Sequence, residues 1–205
     1  MYRGERINSI SHLVGAALAF VGLMLLAVSS ASTHDGWKVA SALVYGLTLL
    51  VMFLFSTLFH SLRGRAKAVF RKLDHVAIYW LIAGTYTPFC LVTLRESRGW
   101  LILGIVWGIA VVGTILKSVF GAGHASWSTL LYLIAGWTIV VDISNLHRLI
   151  EPAGFAWLVA GGVLYTIGAG FYVWKRMPRH HEVWHFFVLA AAACHCVSIL
   201  GYVVS

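Results

Sequence analysis

"ALVYGLTLLVMFLFSTLFH", residues 42–60, runs for nineteen residues without a charged side chain. A helix needs about 20 mostly apolar residues to cross the hydrocarbon core of a bilayer. With the few residues before it, this stretch predicts a transmembrane helix over 38–60, ending on Ser56 and His60, one helical turn apart. Outward from it the same pattern recurs near 10–30, 74–94, 100–119, 126–146, 154–174 and 184–204. The composition agrees: 60% of residues are apolar and 11% charged, whereas a soluble domain carries about 25% charged residues. The connections, such as "TLRESRG" and "KRMPRHHEV", are short, so neighbouring helices should be antiparallel. The expectation is one all-α membrane domain over residues 1–205, a seven transmembrane helix bundle with no soluble domain and no internal repeat. "AVSSAS" after the first apolar run resembles a signal-peptidase site. The run from Leu13 to Val28 is long for a cleaved signal, and polar Asn8, Ser11 and His12 sit at its start, so an uncleaved first span is expected.

Lys and Arg in short loops mark the cytoplasmic side. With the N-terminus inside, that side receives Arg3, Arg6, Arg63, Arg65, Lys67, Arg71, Lys72, Lys117, Lys175, Arg176 and Arg179. The other receives Lys38, Arg95, Arg98 and Arg148, so the 15 Lys and Arg divide 11 to 4. The N-terminus is therefore expected to be cytoplasmic and the C-terminus extracytoplasmic, with Arg63 to Lys72 as the main anchor. Loop asymmetry accounts for the formal charge of +8 without nucleic acid as a partner. Cys90, Cys194 and Cys196 all lie in apolar stretches, which argues against a disulfide framework. Cys194 and Cys196 flank His195 and could be soft ligands, but small apolar packing is the simpler reading.

Ionisable groups inside a membrane are expensive and face the bundle interior or a cavity. In this topology they gather at one end: Glu5, Asn8 and His12 opening span one, Ser56 and His60 closing span two, Asp74 and His75 opening span three, His181 and His185 opening span seven. His181 and His185, four apart, share a helix face and can bind one Zn²⁺ from adjacent turns; His60 is the natural third ligand. Asp74 is placed either to bind the metal or to accept a hydrogen bond from its water. His195 lies about 15 Å deeper than His185 at 1.5 Å per residue, too far to share a metal. It reads as a buried, hydrogen-bonded histidine.

His181-Glu182-Val183-Trp184-His185 matches the H-E-x-x-H of zinc proteases. The longer form of that motif puts a glycine and a third histidine downstream, where this chain has Val188 and Ala191. No Asp or Glu follows Glu182, so the later carboxylate of other zinc proteases is missing too. What survives is H-x-x-x-H, two ligands on one face. The plainer readings cover most other polar residues. His34, His124 and His147 fall on polar loops, and His180 sits among basic residues at the surface. Trp37, Trp100, Trp127, Trp157 and Trp184 read as an interfacial belt. "GTYTP" (84–88) reads as a kink in span three, and Glu5 as a cap of the first helix.

Together "ERINSISH", "STLFHS", "KLDHVAIYWLIAGTYTP" and "HHEVWHFFVLAAAACH" resemble the PAQR (progestin and adipoQ receptor) family, in its bacterial hemolysin III branch. The resemblance spans nearly the whole chain. It implies a multi-pass protein of the bacterial inner (plasma) membrane, with seven helices, the N-terminus inside and a zinc site near the cytoplasmic face. It implies that His60, His181 and His185 ligate the zinc and that Asp74 acts through a water, while Ser56 matches the family's S-x-x-x-H block. The family is similar to alkaline ceramidases, which implies a metal-dependent hydrolase of a ceramide-like membrane lipid, amide or ester, with a part in membrane homeostasis. There Asp74 would orient or deprotonate the water and Ser56 would hydrogen-bond a substrate oxygen. A non-enzymatic sensor of membrane state, with zinc as a staple between spans two and seven, is the alternative. Cytolysis rests on the branch name alone. The hormone roles of eukaryotic members are not expected here, because the chain lacks the long N-terminal domain of adiponectin receptors.

Overall fold

The structure is a computed structural model that describes residues 4–121 and 125–205; Arg3 and His124 lie outside them. Among the described residues eight α-helices follow one another: α1 (Arg6–Ser32), α2 (Gly36–Ser61), α3 (Gly64–Pro88), α4 (Gly99–Phe120), α5 (Ala125–Gly136), α6 (Ile143–Leu149), α7 (Pro152–Val173) and α8 (His180–Tyr202). Among the described residues there is no strand, and seven segments are long and apolar enough to cross a membrane. Six are single helices, the third being α3 extended through the following turn to Thr93; the fifth, Trp127–Leu149, is built from α5, a short 3₁₀ turn and α6. Successive spans pack on one another, and α1 closes the ring against α8. The third span is the axis: 72% of its most apolar window is buried, against 44% or less in the others. The first span is an integral part of the bundle, because it carries His12 onto the ring of His185 in α8.

Three boundaries depart from the sequence expectation. The third span starts at Gly64 instead of 74, and only Leu62 and Arg63 separate it from α2. "RAKAVFRK" contains no helix breaker, so the basic anchor is a helical turn and not a loop; the reversal is made just before it, with Gly64 at φ +60. His147 lies in α6, against Phe155 with ring centroids 4.8 Å apart, and not on a loop. The fifth span, read as continuous, is broken at Gly136–Trp137. The run Thr138-Ile139-Val140-Val141 that follows is β-branched throughout and favours helix poorly. A break inside a membrane frees backbone groups that lipid cannot satisfy. Here the Tyr86 hydroxyl donates to the Gly136 carbonyl at 2.6 Å and accepts from the Ile139 amide at 2.9 Å.

At "GTYTP" the α-helical pattern gives way after Pro88 to a π turn over Phe89–Thr93. Proline has no N–H to give the carbonyl one turn back and clashes with it. Below it α7 and α8 approach closely along Gly154, Gly161 and Gly168. A Cβ on Gly161 would lie 2.2 Å from the His195 ring, and one on Gly168 2.9 Å from Trp184. Small residues at such seams let transmembrane helices meet backbone to backbone. Trp184 is thereby turned inward, away from the belt expected of it. Trp37, Trp100, Trp127 and Trp157 stay exposed.

Candidate metal centre

The last turn of α2 and the first two turns of α8 meet at one end of the bundle. They bring His60, His181 and His185 together, with one candidate ligand atom from each within 4.8 Å of the others. The His60 and His181 Nε2 atoms are 3.3 Å apart, and those of His181 and His185 3.2 Å. His60 and His185 are each 2% exposed. Three imidazole nitrogens converging without an interposed donor group form a set that could hold a metal ion. Among the described residues no other His, Cys, Asp or Glu belongs to such a cluster, which leaves Cys90, Cys194 and Cys196 as free thiols.

The sequence reading of Glu5 as a cap meets a different arrangement in the structure. Glu5 stands at the N-cap position of α1, but its side chain makes no capping bond. Its Oε2 lies 2.6 Å from His60 Nδ1 and its Oε1 2.7 Å from Lys67 Nζ, while Asn8 Nδ2 donates to Oε2 at 3.2 Å. Burial alone would raise its pKa; hydrogen bonds from Lys67, His60 and Asn8 outweigh that and pull it down to about 2. The ionised carboxylate accepts a hydrogen bond from His60 Nδ1–H, so that Nε2 turns its lone pair toward the other two histidines. A carboxylate behind a ligating histidine fixes tautomer and ring orientation in this way. Only the Glu5-Asn8-His12 spacing on one face of α1 hinted at such a role.

Asp74 is outside the three-histidine group. Ser56, 1% exposed, stands one turn before His60. The hydrolase reading assigns its hydroxyl to a substrate oxygen; in the structure its hydrogen-bond partner is Asp74. Both line a cavity of about 130 Å³ together with His12, His181 and His185. The remaining wall is largely apolar, with Met52, Leu81, Leu133 and Val188. At its deep end Tyr86, Trp137 and His195 separate it from a second, smaller cavity of about 60 Å³. His195 donates from Nε2 to the Leu158 carbonyl at 3.2 Å, as its depth required. Glu182 of the H-E-x-x-H match stays out of the histidine cluster, 3.8 Å from Arg179. His34 sits in the turn between α1 and α2 with φ 55.

A model of the Haemolysin-III related family matches residues 1–196. The chain belongs to this family. It is 42% identical to "Hemolysin-3" of Bacillus cereus, over 97% of this chain and 91% of that protein. It is 38% identical to a "Hemolysin-3 homolog" of Bacillus subtilis, over 98% and 94%. The human "Monocyte to macrophage differentiation factor" shares 28% identity over 95% of this chain and 82% of its own length. No solved structure matches. Membership and the seven apolar helices together make the chain a multi-pass membrane protein. In this haemolysin-III related protein the histidines come from the second and seventh spans, and Asp74 and Ser56 from the third and second.

Proposed function

We propose that the protein is a zinc-dependent hydrolase of a membrane lipid, cleaving a ceramide-like amide or an ester at the cytoplasmic end of the bundle. The observation that carries this reading is the sharing of one cavity: two of the three converging histidines, the Asp74–Ser56 pair and an apolar chamber all face the same space. Zinc suits the ligand set. Four ligands at about 2.0–2.1 Å in a tetrahedron stand about 3.3–3.4 Å from one another, and the Nε2 atoms here are 3.2 and 3.3 Å apart. A zinc ion held there would supply Lewis acidity, lowering the pKa of a water molecule toward neutrality. Ser56 orients the Asp74 carboxylate. Asp74 accepts the proton of the attacking water as its oxygen bonds to the acyl carbon, and returns it to the departing nitrogen or oxygen as the acyl bond breaks. The apolar wall holds the acyl chain and keeps bulk water from the reaction.

The test is Asp74→Asn beside His181→Ala, with zinc content, melting temperature and lipid products measured for both. Asp74→Asn should fold, keep about one zinc per chain on its three histidines and lose about 10²–10⁴-fold in rate; His181→Ala should lose the metal. A zinc-loaded, fully active Asp74→Asn would remove the carboxylate from the chemistry and favour zinc as a staple between α2 and α8. The names of the Bacillus relatives favour a cytolytic reading; red-cell lysis that survives loss of His181 would support it over hydrolysis.

A further inference from the structure

His12 is the histidine beside the metal centre that the chemistry above does not use. It comes from α1, one turn after Asn8, and is 3% exposed. Its ring lies flat against that of His185, with centroids 3.6 Å and planes 19° apart. Phe53 meets it edge to face at 5.1 Å. Both ring nitrogens are buried without a hydrogen-bond partner. Unpaired polar atoms in a membrane interior are costly and call for a cause. Packing does not supply one, since a phenyl ring would stack on His185 as well and leave nothing unpaired. The ring forms part of the cavity wall, next to His185 and facing the space that Ser56 and Asp74 also line.

Most other polar groups on that wall are already committed. Besides His12, only the Trp184 indole and the Tyr165 hydroxyl, which stands beside His195 at the deep end, make no hydrogen bond among the described residues of the wall. Ser56 pairs with Asp74. Tyr86, Tyr132 and Thr85 donate to backbone carbonyls, and His195 to Leu158. A carboxylate and metal-binding nitrogens offer no proton to an acceptor. A neutral imidazole always carries one N–H, and at His12 that donor is free. A carbonyl oxygen, which can only accept, is the ligand group such a donor fits.

We infer that His12 hydrogen-bonds the carbonyl oxygen of the acyl group of a lipid bound in the cavity, acting as a substrate-binding residue and not as a metal ligand. This rests on the reading of the cavity as an acyl-lipid site, but it does not require turnover. The probes are N-methylpalmitamide and hexadecyl methyl ether, similar in length and differing in the carbonyl. Binding to zinc-loaded protein in nanodiscs is followed through tryptophan emission, since Trp184 lines the cavity. Wild type should prefer the amide. His12→Phe should bind the amide about tenfold more weakly and the ether unchanged, with full zinc content and an equal or higher melting temperature. His12→Gln, which restores an N–H donor, should recover part of the preference. Equal binding of both probes by wild type would overturn the inference without any variant. An unchanged amide preference in His12→Phe would overturn it too, as would a fall in melting temperature and ether binding together, the mark of a packing role. Wild type that discriminates between the probes yet hydrolyses no acyl lipid would end the hydrolase reading and leave this one standing.

Discussion

Glu5 joins three segments through one carboxylate: α1, on which it sits, the end of α2 through His60, and the first turns of α3 through Lys67. A partner of this kind behind a ligating histidine is typically worth about 10–100-fold in metal affinity. Glu5→Gln should therefore weaken zinc binding by that factor in a chelator competition, with the three histidines still in place. The carboxylate also makes a pH-dependent contribution to metal-free stability. Its pKa is about 2 in the folded protein against an ordinary 4.5, so its stabilisation is full above pH 4.5 and is lost as the pH falls toward 2. The difference in melting temperature between wild type and Glu5→Gln should shrink over that acid window; a constant difference would mean that Glu5 acts by packing alone. The three-histidine cluster was legible because i, i+4 spacing and topology put its members at one depth. Glu5 and His12 were only half legible: spacing places them on the right face of α1, but nothing local reveals that α1 lies against both α2 and α8.

At the scale of elements, the spans could be counted from hydropathy, but their ends and interruptions depend on partners distant in sequence. "RAKAVFRK" looks like a loop by charge and is a helix by propensity. The break in the fifth span leaves no mark in hydropathy, because every residue from Trp137 to Val141 except Thr138 is apolar. What makes the break tolerable is Tyr86, fifty residues earlier, whose hydroxyl serves the backbone on both sides of it. Tyr86→Phe keeps the ring and removes both bonds. It should cost about 1–3 kcal/mol for each backbone group left without a partner, read as a lower melting temperature with zinc content intact. If Tyr86→Phe melts with wild type, the break is held by packing, for example by Trp137 donating to Thr166 at 3.0 Å.

For the whole molecule the open quantity is direction across the membrane. Seven crossings put the termini on opposite faces, and the metal centre lies at the N-terminal end. The structure places the basic residues there as well: Arg6 opens α1, Arg63 precedes α3 and Arg65, Lys67, Arg71 and Lys72 lie in its first turns, Lys117 is in the last turn of α4, and Lys175, Arg176 and Arg179 join α7 to α8. The far end has only Lys38, Arg95, Arg98 and Arg148. There the Asp142 carboxylate accepts from the Arg98 amide at 3.1 Å and from Asn145 at 2.8 Å, clasping the third connection to the fifth span. Positive charge in short loops is retained in the cytoplasm, and the anionic inner leaflet attracts it further. Alkaline phosphatase fused after Ser205 should accordingly be active, and green fluorescent protein at the same position dark. The reverse pattern would put the three histidines at the outer face. Hydrolysis would then draw on outer-leaflet lipid and extracellular zinc, and an impermeant chelator added to intact cells would stop it. With the N-terminus inside, the same chelator should leave activity untouched until the cells are opened.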